Sequence, residues 1–267
     1  MKPTRQAIPS QPDQVRDYRL LMERWLKVCG RQSGLSMGVY AEADGYPLMV
    51  VESAFQIPGN PSLYLSAGIH GDEPAPVEAL IGWAEENKGH LEAWNLIIFP
   101  CLNPWGLERN IRFDAEGRDL NRCYNSRKLP RITSQLDVIK GRRFDVAACL
   151  HEDYDARGFY LYEIAAARPH LGEEICRELS RFMTADSRSR IDGHRSRGGL
   201  IRRRIRPDMM SGHPESFRLH FHHAARTFTL ETPSEKGLDS RISVHREFLR
   251  FLSKKPKTRD GNYHGNR

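Results

Sequence analysis

The chain has 267 residues and a formal net charge of +7 at pH 7; 39% of its residues are hydrophobic and 28% are charged. Such a length supports one or two globular domains with a core that needs no disulfide framework. Five scattered cysteines without a Cys-x-x-Cys pair argue against a cysteine-bound zinc knot. The longest nearly apolar run, 96–102, falls far short of the roughly 18 residues of a membrane span. The polar opening segment contains no apolar leader core, so a cytoplasmic protein without a membrane partner is expected.

The basic charge is concentrated. Residues 187–206 carry eight arginines against one aspartate, and residues 253–267 carry five lysines and arginines against one aspartate. The second stretch is expected to be a solvated, disordered tail. No zinc finger, helix-turn-helix or aromatic-interleaved motif accompanies the charge, so no specific nucleic-acid partner is expected.

In chain order, residues 13–29 place Val15, Tyr18, Leu21, Met22, Trp25 and Leu26 at helical spacing. Residues 35–54 predict a hairpin around Asp44-Gly45. Segments 63–69, 94–99, 144–150, 159–164 and 227–230 are short apolar runs that predict buried strands. Helical patterns fall at 76–91, 132–140, 170–183 and 237–254. Apolar strands alternating with helices predict a single α/β domain, with a mixed, mainly parallel twisted sheet covered by helices on both faces. The stretches 103–131 and 184–215 predict long loops, which are usually functional in a compact domain.

Four clusters could carry chemistry, and each follows a predicted strand, where α/β sheets bind ligands. Residues 68–74 (GIHGDEP) hold His70 and Glu73 at a spacing that lets imidazole and carboxylate share one ion. Residues 103–122 are dense in arginine, asparagine and aspartate, the donors suited to a carboxylate or an oxyanion. His151 follows the run 144–150, and Glu231 caps the run 227–230. Each element alone also suits a hydrophilic turn or a satisfied strand end. Together they supply His, Glu and His for a zinc ion, an anion-binding loop and a spare carboxylate, the minimum set for zinc-assisted amide hydrolysis.

With these residues in this order, the sequence resembles the zinc carboxypeptidase family, including its bacterial murein peptide amidase and aspartoacylase/succinylglutamate desuccinylase relatives. The resemblance runs from about Leu63 to Pro233. It rests on His70 and Glu73; on Asn103, Pro104 and Gly106; on Arg112 followed by Gly117, Asp119, Asn121 and Arg122; on His151; and on Glu231. It implies a zinc carboxypeptidase-like catalytic domain over 35–252, preceded by a helical extension (1–34) and followed by the basic tail (253–267). It also implies that His70, Glu73 and His151 bind one Zn²⁺ per chain with a position left for water. Glu231 would be the general base and Arg112, rather than Arg109, the oxyanion donor. Asn121 and Arg122 would grip the substrate's free carboxylate. The substrate would be a small peptide, such as a murein peptide, or alternatively an N-acyl amino acid cleaved by a deacylase. Tyr154, Tyr160 and Tyr162 are candidates for a substrate-clamping tyrosine. The arginine-rich segment 187–206 could form a basic rim steering acidic substrates to the zinc.

Overall fold

Side-chain alternation along one large sheet organises this chain, because each face collects its own core. A computed structural model describes residues 14–254 except 33, 88–90, 126–127, 166–167, 207 and 209–211. The expected tail from residue 255 onward and the opening thirteen residues lie outside the described residues. In chain order the elements are α1 (Tyr18–Arg31), β1 (Leu35–Ala43), β2 (Tyr46–Ser53), β3 (Ser62–Ser66), α2 (Pro74–Glu86), β4 (Asn95–Phe99) and α3 (Pro104–Arg109). After these come α4 (Pro130–Val138), β5 (Val146–Asp153), β6 (Tyr160–Ala165) and α5 (Gly172–Leu179). The chain closes with β7 (Arg190–Ile191), β8 (His194–Arg195), β9 (Leu200–Arg202), α6 (Glu215–His222), β10 (Arg226–Pro233) and α7 (Leu238–Ser253).

Eight strands form one mixed sheet in the order β1-β2-β4-β3-β5-β10-β6-β9. The central run β4-β3-β5-β10 is parallel, while the β1–β2 hairpin and β6 introduce antiparallel pairs. This is the single α/β domain expected from the sequence, with helices on both faces. The hairpin turn is Asp44-Gly45, both with positive φ (55° and 83°), as a tight two-residue turn of this hand requires. Helix α1 starts at residue 18, where the Asp17 side chain accepts from the Leu20 N–H and so caps it.

One face of the sheet carries Leu63, Leu65, Leu96, Ile98, Ala148, Leu150, Phe228 and Leu230, packed with α1, α2, α5 and α7 through Trp25, Trp83 and Phe248 among others. The opposite face carries Tyr64, Ile97, Phe99, Ala147 and Cys149, packed with α4 and α6 through Ile132, Leu136 and Leu219. Among the described residues, no helix is long and apolar enough to cross a membrane.

The predicted loops are more structured than their composition suggests. Segment 103–131 contains α3, capped by the Asn103 side chain on the Gly106 N–H (3.2 Å). Segment 184–215 contains the β7–β8 hairpin and β9. These elements are two to six residues long, too short for periodicity to reveal.

Two contacts set the end of the sheet where the candidate ligands lie. At the first, Gly71 packs against Gly106 of α3. A Cβ on Gly71 would collide with the Gly106 backbone, and one on Gly106 would meet Asn103 and the Ile111 carbonyl. The Gly71 N–H also donates to the Arg112 carbonyl (3.4 Å), while Asn103 Nδ2 donates to the Phe113 carbonyl (3.0 Å). The segments 70–73 and 103–113 are thus docked backbone to backbone.

The second contact is a buried polar cluster behind the same sheet end. Glu152 on β5 accepts from Arg241 Nη1 of α7 (2.5 Å) and from the Ala75 N–H in the first turn of α2 (3.1 Å). Thr232 of β10 shares a hydrogen bond with His245 Nε2 of α7 (3.0 Å). The cluster therefore ties together the residues next to His151, Glu73 and Glu231. It also holds His245 fully buried. Burial, aided by the charges of His151 and Arg241 and opposed by Glu73, lowers the His245 pKa to about 3.

Three outcomes follow from these contacts. Gly71→Ala lowers the melting temperature, measured by scanning calorimetry, because the added methyl must separate the two docked segments. Arg241→Met leaves the Glu152 carboxylate buried without its cation and costs about 3 kcal/mol of stability in urea unfolding. Since His245 stays neutral when folded but takes up a proton below about pH 6.5 when unfolded, stability drains away as pH falls from about 6.5 toward 3. His245→Gln removes this contribution, so its melting temperature falls less steeply than that of the wild type between pH 7 and pH 5.

Candidate metal centre

His151 and Glu231 are neighbours because their strands run parallel in register, Glu231 of β10 opposite His151 of β5. Both lie within strands rather than just past them, since the ladder continues two residues beyond each, to Asp153 and Pro233. His70 and Glu73 lie in the turn between β3 and α2, with Glu73 at the N-cap of α2 and Pro74 in its first turn. The side chains of His70, Glu73 and His151 converge. Each offers a ligand atom within 4.8 Å of the others, and all three residues are buried.

The hydrogen bonds identify which nitrogens point inward. His70 Nδ1 lies 2.6 Å from Glu73 Oε1, and His151 Nδ1 lies 3.0 Å from Glu73 Oε2. The other nitrogen of His70, Nε2, is 3.1 Å from Asp119 Oδ1. Asp119 thus orients the His70 ring by taking its outer N–H, the arrangement that fixes a metal-binding imidazole's tautomer. The electrostatics fit a cation. Burial disfavours the charged form of His70, but Glu73 and the bonds to Asp119 outweigh it and raise its pKa to about 9. Burial also opposes ionisation of Glu73, yet His70 and His151 hold its carboxyl well below the usual range. Two imidazoles and one carboxylate, buried and oriented in this way, suit a tetrahedral zinc ion with a fourth position for water.

Glu231 stands beside this set and retains some accessible surface. Loss of water around its carboxyl, opposed by His151 and reinforced by Glu73, Asp153 and Asp192, pushes its pKa up to about 8. Arg112 reaches the cluster, with Nη1 3.5 Å from Glu73 Oε1 and Nη2 3.2 Å from Asp119 Oδ2. Arg109 does not; it stacks on Trp105 and donates to Tyr46. Asn121 is buried, its Oδ1 accepting from the Glu215 N–H (2.9 Å), so its amide NH₂ is the end left to donate. Arg122 is exposed, near enough to Asp119 to help hold that carboxyl below its ordinary value.

Of the three tyrosines, Tyr154 is 73% exposed. Tyr160 stands opposite Glu231 in the ladder, and its hydroxyl donates to Asp153 (2.9 Å). Tyr162 donates to Asp192 (2.7 Å). The arginine-rich segment is divided between the two faces of the sheet. Arg203 lies over the Phe217 ring of α6, whereas Arg202 pairs with Glu163 and Glu173 on the α5 face.

Several residues around the site have no strong sequence signal. Glu215 is a buried carboxylate that accepts from Tyr64 (2.5 Å), Ser66 (2.8 Å) and Gln135 (2.9 Å). It anchors α6 beneath Asn121, and only its place after Pro214 could have marked it as a helix start. The role of Asp119 was hidden within a motif read for its asparagine and arginine. Glu152, Thr232, Arg241 and His245 face away from the cluster and resemble ordinary strand and helix residues in sequence.

Residues 59–184 match the succinylglutamate desuccinylase/aspartoacylase catalytic domain model. Carboxypeptidase SOL1 of Arabidopsis thaliana is 27% identical over 158 residues, which is 51% of this chain and 32% of that protein. Succinylglutamate desuccinylase of Pseudomonas paraeruginosa is 32% identical over 134 residues, 43% of this chain and 39% of that protein. The matched region thus spans between a third and two fifths of these curated relatives. A candidate metallopeptidase from Shewanella baltica superposes with a TM-score of 0.79 at 22% identity, covering 90% of this chain and 92% of the other. The metallo-carboxypeptidase from Pseudomonas aeruginosa in complex with (2-guanidinoethylmercapto)succinic acid gives 0.65 at 18% identity, covering 88% and 68%. The chain is therefore related in sequence to carboxypeptidases and to the succinylglutamate desuccinylase/aspartoacylase catalytic domain, and it has the zinc carboxypeptidase-like fold that its motif order implied.

Proposed function

We propose that this protein is a zinc-dependent metallocarboxypeptidase-like hydrolase that cleaves an amide bond next to a residue with a free carboxylate in a small peptide. The observation that carries this reading is the convergence of His70, Glu73 and His151, with Glu231 in register beside His151. Zinc bound there would supply Lewis-acid polarisation of the scissile carbonyl and acidify a water molecule. Glu231 takes a proton from the attacking water at its carboxylate and returns it to the leaving amine, a role favoured by a carboxyl whose pKa lies near neutrality rather than near 4. Arg112 presents its guanidinium to the oxygen that becomes negative in the tetrahedral species. Asp119 holds that guanidinium and the His70 ring in fixed relation. Arg122 and the Asn121 amide bind the substrate carboxylate, a role supported by the Glu215 N–H, which occupies Asn121 Oδ1 and leaves the NH₂ group to donate.

A second reading, a zinc-dependent deacylase of N-acyl amino acids, is favoured by the catalytic domain match over residues 59–184 and by the desuccinylase relative. It uses the same residues in the same roles and differs only in what lies on the acyl side.

The test pairs elemental analysis with a hydrolysis panel of C-terminal peptides, γ-glutamyl-diaminopimelate peptides and N-acyl amino acids. About one zinc per chain is expected, lost in His70→Ala. Glu231→Gln should retain zinc while kcat/KM falls by about 10² to 10⁴. Cleavage confined to N-acyl amino acids selects the deacylase. A zinc-loaded wild type that leaves the whole panel intact, or a Glu231→Gln variant of undiminished activity, overturns the proposal.

A further inference from the structure

A basic rim near the metal is one reading of segment 187–206 and a solvated loop is the other, yet strand alternation sends part of its arginine set to the far face of the sheet. On β10, β6 and β9, Glu231 stands opposite Tyr160, and Thr229 opposite Tyr162, which is in turn opposite Ile201, so these residues share the metal-side face. Phe228, Glu163 and Arg202 are likewise in register on the other face, where α5 packs. There, Arg177 of α5, Arg195 of β8, Arg197 and Arg202 line a groove of about 790 Å³, with Glu173 as its only carboxylate among the described residues. A neighbouring cavity of about 620 Å³ shares Glu173 and Arg202 and adds Arg168 and His170.

The charges in this groove are not balanced within the protein. Arg202 already satisfies Glu173, at 3.0 Å, and Glu163, at 3.0 Å. No side-chain ion pair engages Arg168, Arg177, Arg195 or Arg197 among the described residues, although nearby Arg181, Arg188 and Arg226 each have a carboxylate partner. Four exposed guanidinium groups thus line adjoining cavities with no ion-pair partner of their own among the described residues, a surplus of positive charge that a ligand carrying several negative charges would match. The guanidinium fork matches phosphate oxygens in bidentate fashion. The cavity volume also lies in the range that holds a small organic anion rather than a lone ion.

We propose that the groove between α5 and the β8–β9 turn is a second binding site, separate from the metal centre and on the opposite face of the sheet, for a compact polyphosphate anion. Its chemistry is that of a nucleoside di- or triphosphate or of an inorganic oligophosphate, held by Arg177, Arg195 and Arg197. Arg202 borders the groove and is already paired with the Glu163 and Glu173 carboxylates. The inference does not depend on what the metal centre catalyses.

The experiment titrates the full-length protein with inorganic tripolyphosphate and, in a second arm, with a nucleoside triphosphate, by calorimetry at 0.15 M salt. Arg195→Gln/Arg197→Gln is compared with Arg203→Gln/Arg204→Gln, which removes the same charge from the same segment outside the groove lining. Saturable binding that weakens about tenfold or more in the first variant and by less than about twofold in the second is expected. Tighter binding of the nucleotide than of tripolyphosphate would identify a base-bearing ligand, and equal affinity would identify the phosphate chain alone; both support the site. Absence of saturable binding overturns the proposal. So does equal loss in the two variants, which would reflect net charge only. Binding of a single-stranded oligonucleotide with no binding of either small anion also overturns it.

Discussion

Glu73 is a carboxylate only 2% exposed, with an imidazole against each of its oxygens. Removing such a charge from water costs several kcal/mol unless neighbouring groups compensate. The neighbouring imidazoles and Arg112 supply that compensation. His70 and His151 supply positive character, Asp119 fixes one ring from behind, and Arg112 closes the remaining side. The price is a site that favours a proton or a cation in its centre, which is why His70 holds its proton to about pH 9. Binding of a divalent ion to such a ligand set is linked to proton release.

The sheet makes this arrangement possible by separating two tasks. On β5, His151 points to the face with the ligands while Glu152 points to α7; on β10, Glu231 and Thr232 divide in the same way. Adjacent residues on one strand thus serve chemistry in front and anchoring behind. The anchoring set is fully buried at Glu152 and His245 and includes the first turn of α2, so the frame reaches the segment that carries Glu73. The same alternation sends Arg202 and Arg203 to different faces.

Much of this was legible in the sequence. The strands stood out because a sheet covered on both faces demands continuous apolar runs, as in WNLIIF and FDVAACL. The candidate ligand residues stood out only in combination, because His70 and Glu73, the arginine- and asparagine-rich loop, His151 and Glu231 each follow a predicted strand in this order. Strand ends were less legible: β5 and β10 continue through polar residues because ladder hydrogen bonds, not hydropathy, keep them extended. Helix α6 escaped notice because His220, His222 and His223 blur its apolar stripe. Its anchor, Glu215, is a buried carboxylate whose partners Tyr64, Ser66 and Gln135 lie between 80 and 151 residues away in the chain. No local pattern reports a network of that reach.

The contact between Gly71 and Gly106 carries one more consequence. The two glycines lie 35 positions apart, yet a side chain on Gly71 would run into the backbone at Gly106, and one on Gly106 would disturb Asn103 and Ile111, which shape the surface that Gly71 packs on. One segment holds two of the candidate ligand residues; the other carries Arg112. A loop transplanted in place of 103–113 must therefore keep backbone without a side chain at position 106 close to Gly71, so the two stretches have to be exchanged as a pair despite their distance along the chain.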